Sequence, residues 1–135
     1  MEKKYVVHLK EAITGVLHGG IGTFRILVDE ETSGARHFSL LVNTSRAGAK
    51  GSEHTHDVEH CWYILSGKGT LYLDGKSYRI EPRTAIYAPA HVLHKVDVDP
   101  EEDLTYVVIY APPGPEQLLK QKGARAFESK KGRKP

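Results

Sequence analysis

The sequence predicts an all-β sandwich or barrel, and three observations carry that prediction. Short segments rich in β-formers follow one another at regular spacing, Gly or Pro stands at nearly every junction, and apolar residues show hardly any helical periodicity. No internal repeat is evident, which argues against a propeller or solenoid. At 135 residues the chain has the length of one compact domain.

Taken in order, residues 5–9 (YVVHL) read as a first strand and residues 11–22 as a glycine-punctuated connection. Residues 23–28 (TFRILV) form a strand closed by the polar turn 29–34, and residues 37–44 (HFSLLVNT) form the next, with Phe38, Leu40 and Val42 on one face. A small-residue turn, 47–51, leads into His54-x-His56, and His60 opens a run of β-formers (CWYIL) that ends at Ser66-Gly67. Residues 69–73 and 76–80 flank Asp74-Gly75, a strong hairpin signal. Residues 85–88 and 94–98 are short strands behind proline-containing turns, and 104–110 (LTYVVIY) is a final strand that the APPGP segment terminates. Residues 116–122 read as a short helix.

Composition narrows the classes of function. The formal charge is +2 with 27% charged and 39% hydrophobic residues, the balance of an ordinary globular protein. Apolar runs are only a few residues long and the N-terminus lacks the apolar core of a secretory signal, so neither a membrane span nor export is expected. A lone cysteine, Cys61, allows no internal disulfide, and the expected location is cytoplasmic. Charge is unevenly spread: residues 116–135 carry seven Lys/Arg against two Glu. We therefore divide the chain into a barrel domain, 1–115, and a basic C-terminal extension, 116–135, of which residues 123–135 (GARAFESKKGRKP) read as a solvated, mobile tail with Phe127 a candidate to dock on the barrel or on a second subunit. It lacks interleaved aromatics and any nucleic-acid-binding motif, so no nucleic-acid partner is expected.

Side-chain chemistry concentrates at the histidines. Three of the eight, His54, His56 and His60, fall within seven positions. On an extended strand the i, i+2 pair shares one face, giving two adjacent coordination positions. Neutral imidazole suits Zn, Cu, Fe and Ni. His60 adds a third ligand if the chain between turns back, and His94, opening a later strand, is a fourth candidate. His8, His18 and His37 read as surface or satisfied core residues. Alternation from His60 turns Trp62 and Ile64 inward, leaving Cys61 as a small buried hydrophobe on the other face and Glu53 and Glu59 solvated. Tyr72, Tyr106 and Tyr110 lie on strands that could line a pocket.

These residues resemble the cupins. The first cupin motif, G-x5-H-x-H-x3,4-E-x6-G, is matched by Gly48, His54, His56 and Gly67, with His60 where the family usually has Glu. The second, G-x5-P-x-G-x2-H-x3-N, is matched at Pro89 and His94, while Arg83, His91 and Val98 replace its Gly, Gly and Asn. The resemblance spans roughly residues 38–110. It implies a double-stranded β-helix, the jelly-roll barrel, followed by a short C-terminal helix or tail. It also implies one divalent transition metal, Fe, Mn, Ni, Cu or Zn, held by His54, His56, His60 and His94, and a homodimer. His91 at a glycine position reads first as tolerated positive-φ backbone and second as a proton donor at the pocket mouth, the one candidate catalytic side chain. Arg83 and Val98 read as changes of loop geometry.

Four neutral imidazoles leave a divalent site at +2, where three His and one carboxylate would leave +1, so bound water is more acidic and anionic ligands are drawn more strongly. The leading functional expectation is a dioxygenase-like activity on a small organic acid, diketone or phenolic compound. A redox-neutral isomerase, lyase or epimerase of sugar or keto-acid substrates is the second, and a non-catalytic ligand-binding or sensor module the third.

Overall fold

The computed structural model describes residues 2–127. Among the described residues nine strands form two antiparallel sheets: β1 (Ile13–Val16), β2 (Gly22–Val28), β3 (Ser39–Ser45), β4 (Glu59–Ser66), β5 (Gly69–Leu73), β6 (Lys76–Ile80), β7 (Ala85–Ala88), β8 (His94–Val98) and β9 (Leu104–Ala111). Six make one sheet in the order β1-β2-β3-β9-β4-β7, and three make the other in the order β6-β5-β8. The sheets face each other over a core that includes Leu41, Ile64 and Val108 from the larger and Leu71, Ile80 and Val98 from the smaller. This is the all-β jelly-roll that the sequence implied.

Local chemistry sets the junctions. Asp74 and Gly75 both have positive φ, 53° and 78°, as a two-residue hairpin between right-twisted strands requires. Gly67, at φ +88°, is irreplaceable sterically as well, because a Cβ there would lie 2.2 Å from the Asp103 carbonyl oxygen. Arg83 and His91 take φ 70° and 68°, so both glycine positions of the second motif keep left-handed backbone with other residues. The polar turn after β2 is a one-turn helix, α1 (Glu30–Ser33), capped by the Asp29 side chain and ended by Gly34 in the left-handed region.

Two expectations about the strands are corrected. Residues 5–9 form no strand: Tyr5 and Val6 are 87% and 89% exposed, and the first strand comes instead from the stretch read as a connection. Residues 5–9 pair with no strand, whereas residues 13–16 find register against β2. Phe38 immediately precedes β3, in which Leu40 and Val42 share a face, and the alternate residues Ser39, Leu41, Asn43 and Ser45 turn to the barrel interior and pair across to Tyr110, Val108, Tyr106 and Leu104. Cys61 is exposed, not buried, because its face of β4 looks away from the core.

The C-terminal segment, expected to be solvated from residue 123 onward, instead packs onto the barrel through residue 127. Helix α2 (Pro115–Lys122) buries Glu116 and Leu119, and a tight turn, Gly123–Arg125, brings Ala126 and Phe127 to 4% exposure each. Glu116 accepts hydrogen bonds from the Ser39 hydroxyl and the Gly114 amide. Lys120 is ion-paired with Asp29 and Glu31. The lysines and arginine at 130–134 lie outside the described residues. No helix among the described residues is long and apolar enough to cross a membrane.

Candidate metal centre

His54 and His56 lie in an irregular segment between β3 and β4, not on a regular strand. His54 is nevertheless fixed by an isolated antiparallel bridge to His94, the first residue of β8: each backbone N–H donates to the other's carbonyl, at 3.1 and 3.0 Å. His56 is held from the far side, since its carbonyl accepts the His91 amide at 2.8 Å. His60, the second residue of β4, points inward as alternation demands, with Trp62 and Ile64 following on the same face and Cys61, Tyr63 and Leu65 outside.

One nitrogen from each of His54, His56 and His94 falls within 4.8 Å of the others. His60 adjoins this group, its ring centroid 4.8 Å from those of both His56 and His94. Second partners fix two rings: His54 Nδ1 is 2.8 Å from the Ser52 carbonyl oxygen and His94 Nδ1 is 3.1 Å from that of Val92. Those contacts place a proton on Nδ1 and leave Nε2 as the lone-pair nitrogen, as second-sphere carbonyls do around metal-bound histidine. His94 Nε2, His56 Nδ1 and both nitrogens of His60 are buried without a hydrogen-bond partner. Orphaned polar atoms of this kind are costly in a folded protein, and four in one cluster fit a bound cation.

Electrostatics favours the same reading. Burial, reinforced by neighbouring histidines, pushes His60 down to about 3 and His94 to about 4, and it lowers His54 and His56 as well. The rings are therefore neutral at pH 7, the form that ligates metal. No carboxylate lines the pocket among the described residues. Its walls include Trp62 and Tyr106, stacked at 5.0 Å between centroids, and Tyr110, which meets His56 and His60 at 5.4 and 5.5 Å. Burial raises the pKa of both tyrosines, against hydrogen bonding to Ser45 and Asn43 at Tyr106, so both remain neutral phenols.

These distances decide the family, because the two motifs have converged on one pocket in a jelly-roll of the right topology, and the family model for the cupin domain matches residues 42–110. The chain belongs to the cupin family. An uncharacterized protein of Streptomyces coelicolor is 26% identical over 78 residues, 58% of this chain and 73% of that one. Among solved structures, the polyketide cyclase RemF from Streptomyces resistomycificus is 26% identical, with a TM-score of 0.71 over 85% of this chain and 82% of its own. Ectoine synthase from P. lautus superposes with a TM-score of 0.74 over 90% of this cupin and 87% of that chain, at 18% identity.

Two side chains join the site without a signal in the motifs. His18 lies in the turn between β1 and β2, its ring 4.7 Å from that of His54, and burial and His54 push it down to about 3. Phe127 covers His54 and His56 from the C-terminal segment. His91, by contrast, lies outside the pocket, with its side chain 73% exposed and Nδ1 3.8 Å from Asp57. Glu53 and Glu59 are exposed as expected. Tyr72 also stays outside, beneath the Lys95 ammonium at 4.8 Å.

Proposed function

We propose that this cupin is a metal-dependent enzyme that binds one divalent transition ion through His54, His56 and His94, with His60 as the fourth ligand. The observation that carries this reading is the convergence of buried imidazole nitrogens that have no other partner. A divalent ion held there would supply Lewis-acid polarisation of a substrate oxygen or, if redox-active, dioxygen chemistry.

The reaction class we favour is redox-neutral: enolisation, elimination or cyclisation of a small carbonyl compound. Support comes from the likeness to a polyketide cyclase at 26% identity over most of both chains. This chain's own residues suit that work by position and charge. With no carboxylate among the described residues that line it, the site favours an anionic oxygen; Trp62, Tyr106 and Tyr110 exclude water from it, and burial keeps the Tyr106 phenol neutral against its hydrogen bonds to Ser45 and Asn43. The dioxygenase reading stands beside it, because four neutral imidazoles without an evident side-chain base also suit chemistry that relies on positioning. Aerobic and anaerobic assays of reconstituted Fe, Mn, Ni, Cu and Zn forms with a panel of 1,3-diketones and phenolic acids separate the two. Anaerobic conversion supports the redox-neutral class, oxygen consumption supports the other, and conversion by no metal form in either atmosphere overturns the enzymatic reading in favour of a binding module.

The same reading includes a homodimer in a reducing, cytoplasmic setting. Supporting it is the outer face of the larger sheet, where Cys61 stands between Ile109 and Tyr87 and Tyr63 stands beside Val107. Tyr63 and Tyr87 remain 44% and 58% exposed, and apolar side chains clustered on one sheet face are what a second copy would cover. Light scattering of wild type and Tyr63→Glu reads the outcome directly.

A further inference from the structure

The space over the histidines is filled by a ring of the chain itself. Phe127 lies parallel to His54, with 2° between planes and 5.7 Å between centroids. It meets His56 and His18 edge-on at 4.6 and 5.1 Å. The inner pocket retains a water-accessible volume of about 30 Å³, enough for a water or two and too little for an organic molecule. A second cleft of about 80 Å³ is bounded by His18, His54 and Phe127 together with Gly19, Ser52 and Ala126. His18 and His54 thus line both spaces, and the ring of Phe127 rests against them.

The segment that carries this ring is firm at one end and strained at the other. Helix α2 is tied down by Lys120 with Asp29 and Glu31, by Glu116 with Ser39, and by the burial of Leu119. The helix ends at Gly123, whose φ of 51° and ψ of −120° suit only glycine. Four residues later Phe127 itself sits at φ 68°, a region that a bulky side chain avoids. An anchored helix, a glycine joint and a ring on strained backbone make a part that can leave the site without unfolding the barrel.

We infer that the position of the Phe127 ring is the subsite for a planar ring of a small-molecule ligand, and that Phe127 is its resident occupant, swung out about Gly123 when the ligand enters. The slot presents one imidazole parallel to the ring and two in T-shaped contact with it, a set that recognises a flat π-system, and it places polar substituents of that ring towards the histidine nitrogens. While Phe127 occupies the slot, a ligand's apparent affinity is reduced by the fraction of molecules in which the slot is open. The inference extends the proposed metal-enzyme reading by naming a ligand class, and its test requires neither turnover nor metal.

Trp62 is the single tryptophan and lines the inner pocket, so its fluorescence reports access. Wild type, Phe127→Ala and Phe127→Leu are compared for acrylamide quenching, as purified and after chelator treatment, with thermal melting as the control for folding. Quenching is expected to rise from wild type through Leu to Ala. Calorimetric titration with catechol as the probe is expected to show about threefold to tenfold tighter binding in the Ala variant, the scale of one lost aromatic pair. Its saturated analogue, cyclohexane-1,2-diol, is expected to gain less. If Phe127→Ala does not fold, Phe127→Leu decides by the same comparison. Equal quenching and equal catechol affinity in the folded variants and wild type would overturn the inference, as would equal gains for the flat and saturated probes. Loss of metal without loss of the quenching difference would count against the metal site alone.

Discussion

His54 and His94 exchange both backbone hydrogen bonds across the mouth of the barrel, and their rings stand 4.4 Å apart between centroids. The bridge joins residues 40 positions apart in the chain. It means that the spacing of two proposed ligands from different motifs is set by main chain, not by side-chain packing, so replacing either ring leaves the backbone of the site in place. We expect His54→Ala and His94→Ala to be folded proteins with near wild-type melting temperature when both are metal-free, checked by circular dichroism after chelator treatment.

The depressed histidines make stability depend on pH. A ring whose folded pKa lies below its unfolded value binds fewer protons in the folded state, so stability is complete above the unfolded value near 6.5 and falls as pH drops towards the folded values. For His60 and His94 that window runs from about 6.5 down to about 3 and about 4. Each contributes a slope of up to about 1.4 kcal/mol per pH unit. Urea unfolding of the metal-free protein at pH 7.5, 6 and 5 is expected to show midpoints falling in that order.

Lys120 holds the C-terminal helix to a buried carboxylate. Asp29 is fully buried; burial raises its pKa, but Lys120 and the Thr32 amide outweigh that and hold the carboxyl below its usual range. Lys120→Met leaves the charge without its cation and is expected to destabilise the protein by about 1–3 kcal/mol. Chemical denaturation at pH 7 checks it, and the loss should shrink as Asp29 protonates at low pH.

Gly67 tests the fold at the end of β4. Its backbone is left-handed and its missing Cβ leaves room for the Asp103 carbonyl, so Gly67→Ala is expected to cost about 2–4 kcal/mol by strain and steric overlap. Gly75→Ala, which shares the positive φ but meets nothing within 4 Å, should cost clearly less in the same denaturation assay.

Much of this was legible in residue order, and the exceptions have physical causes. The Asp74-Gly75 hairpin, the break at APPGP and the inward alternation from His60 follow from local chemistry that no distant contact overrides. YVVHL has the composition of a strand, but register against β2 falls to residues 13–16 instead, a choice that only the tertiary arrangement contains. Asn43 and Ser45 were passed over because, on β3, the polar alternate residues and not the apolar ones face the pocket. His18 and Phe127 reach the site from segments far from either motif, and their approach depends on the turn after β1 and on α2 docking through Lys120 and Glu116.

The central claim is that His54, His56, His60 and His94 together hold one metal ion, and elemental analysis of purified protein tests it most directly. Wild type is expected to carry about one divalent transition ion per chain. His56→Ala, His60→Ala and His94→Ala, folded and compared side by side, are each expected to lose most of it. Full occupancy in all three variants would contradict the account, and full occupancy in His60→Ala alone would reduce the site to the three histidines whose nitrogens already lie within mutual reach.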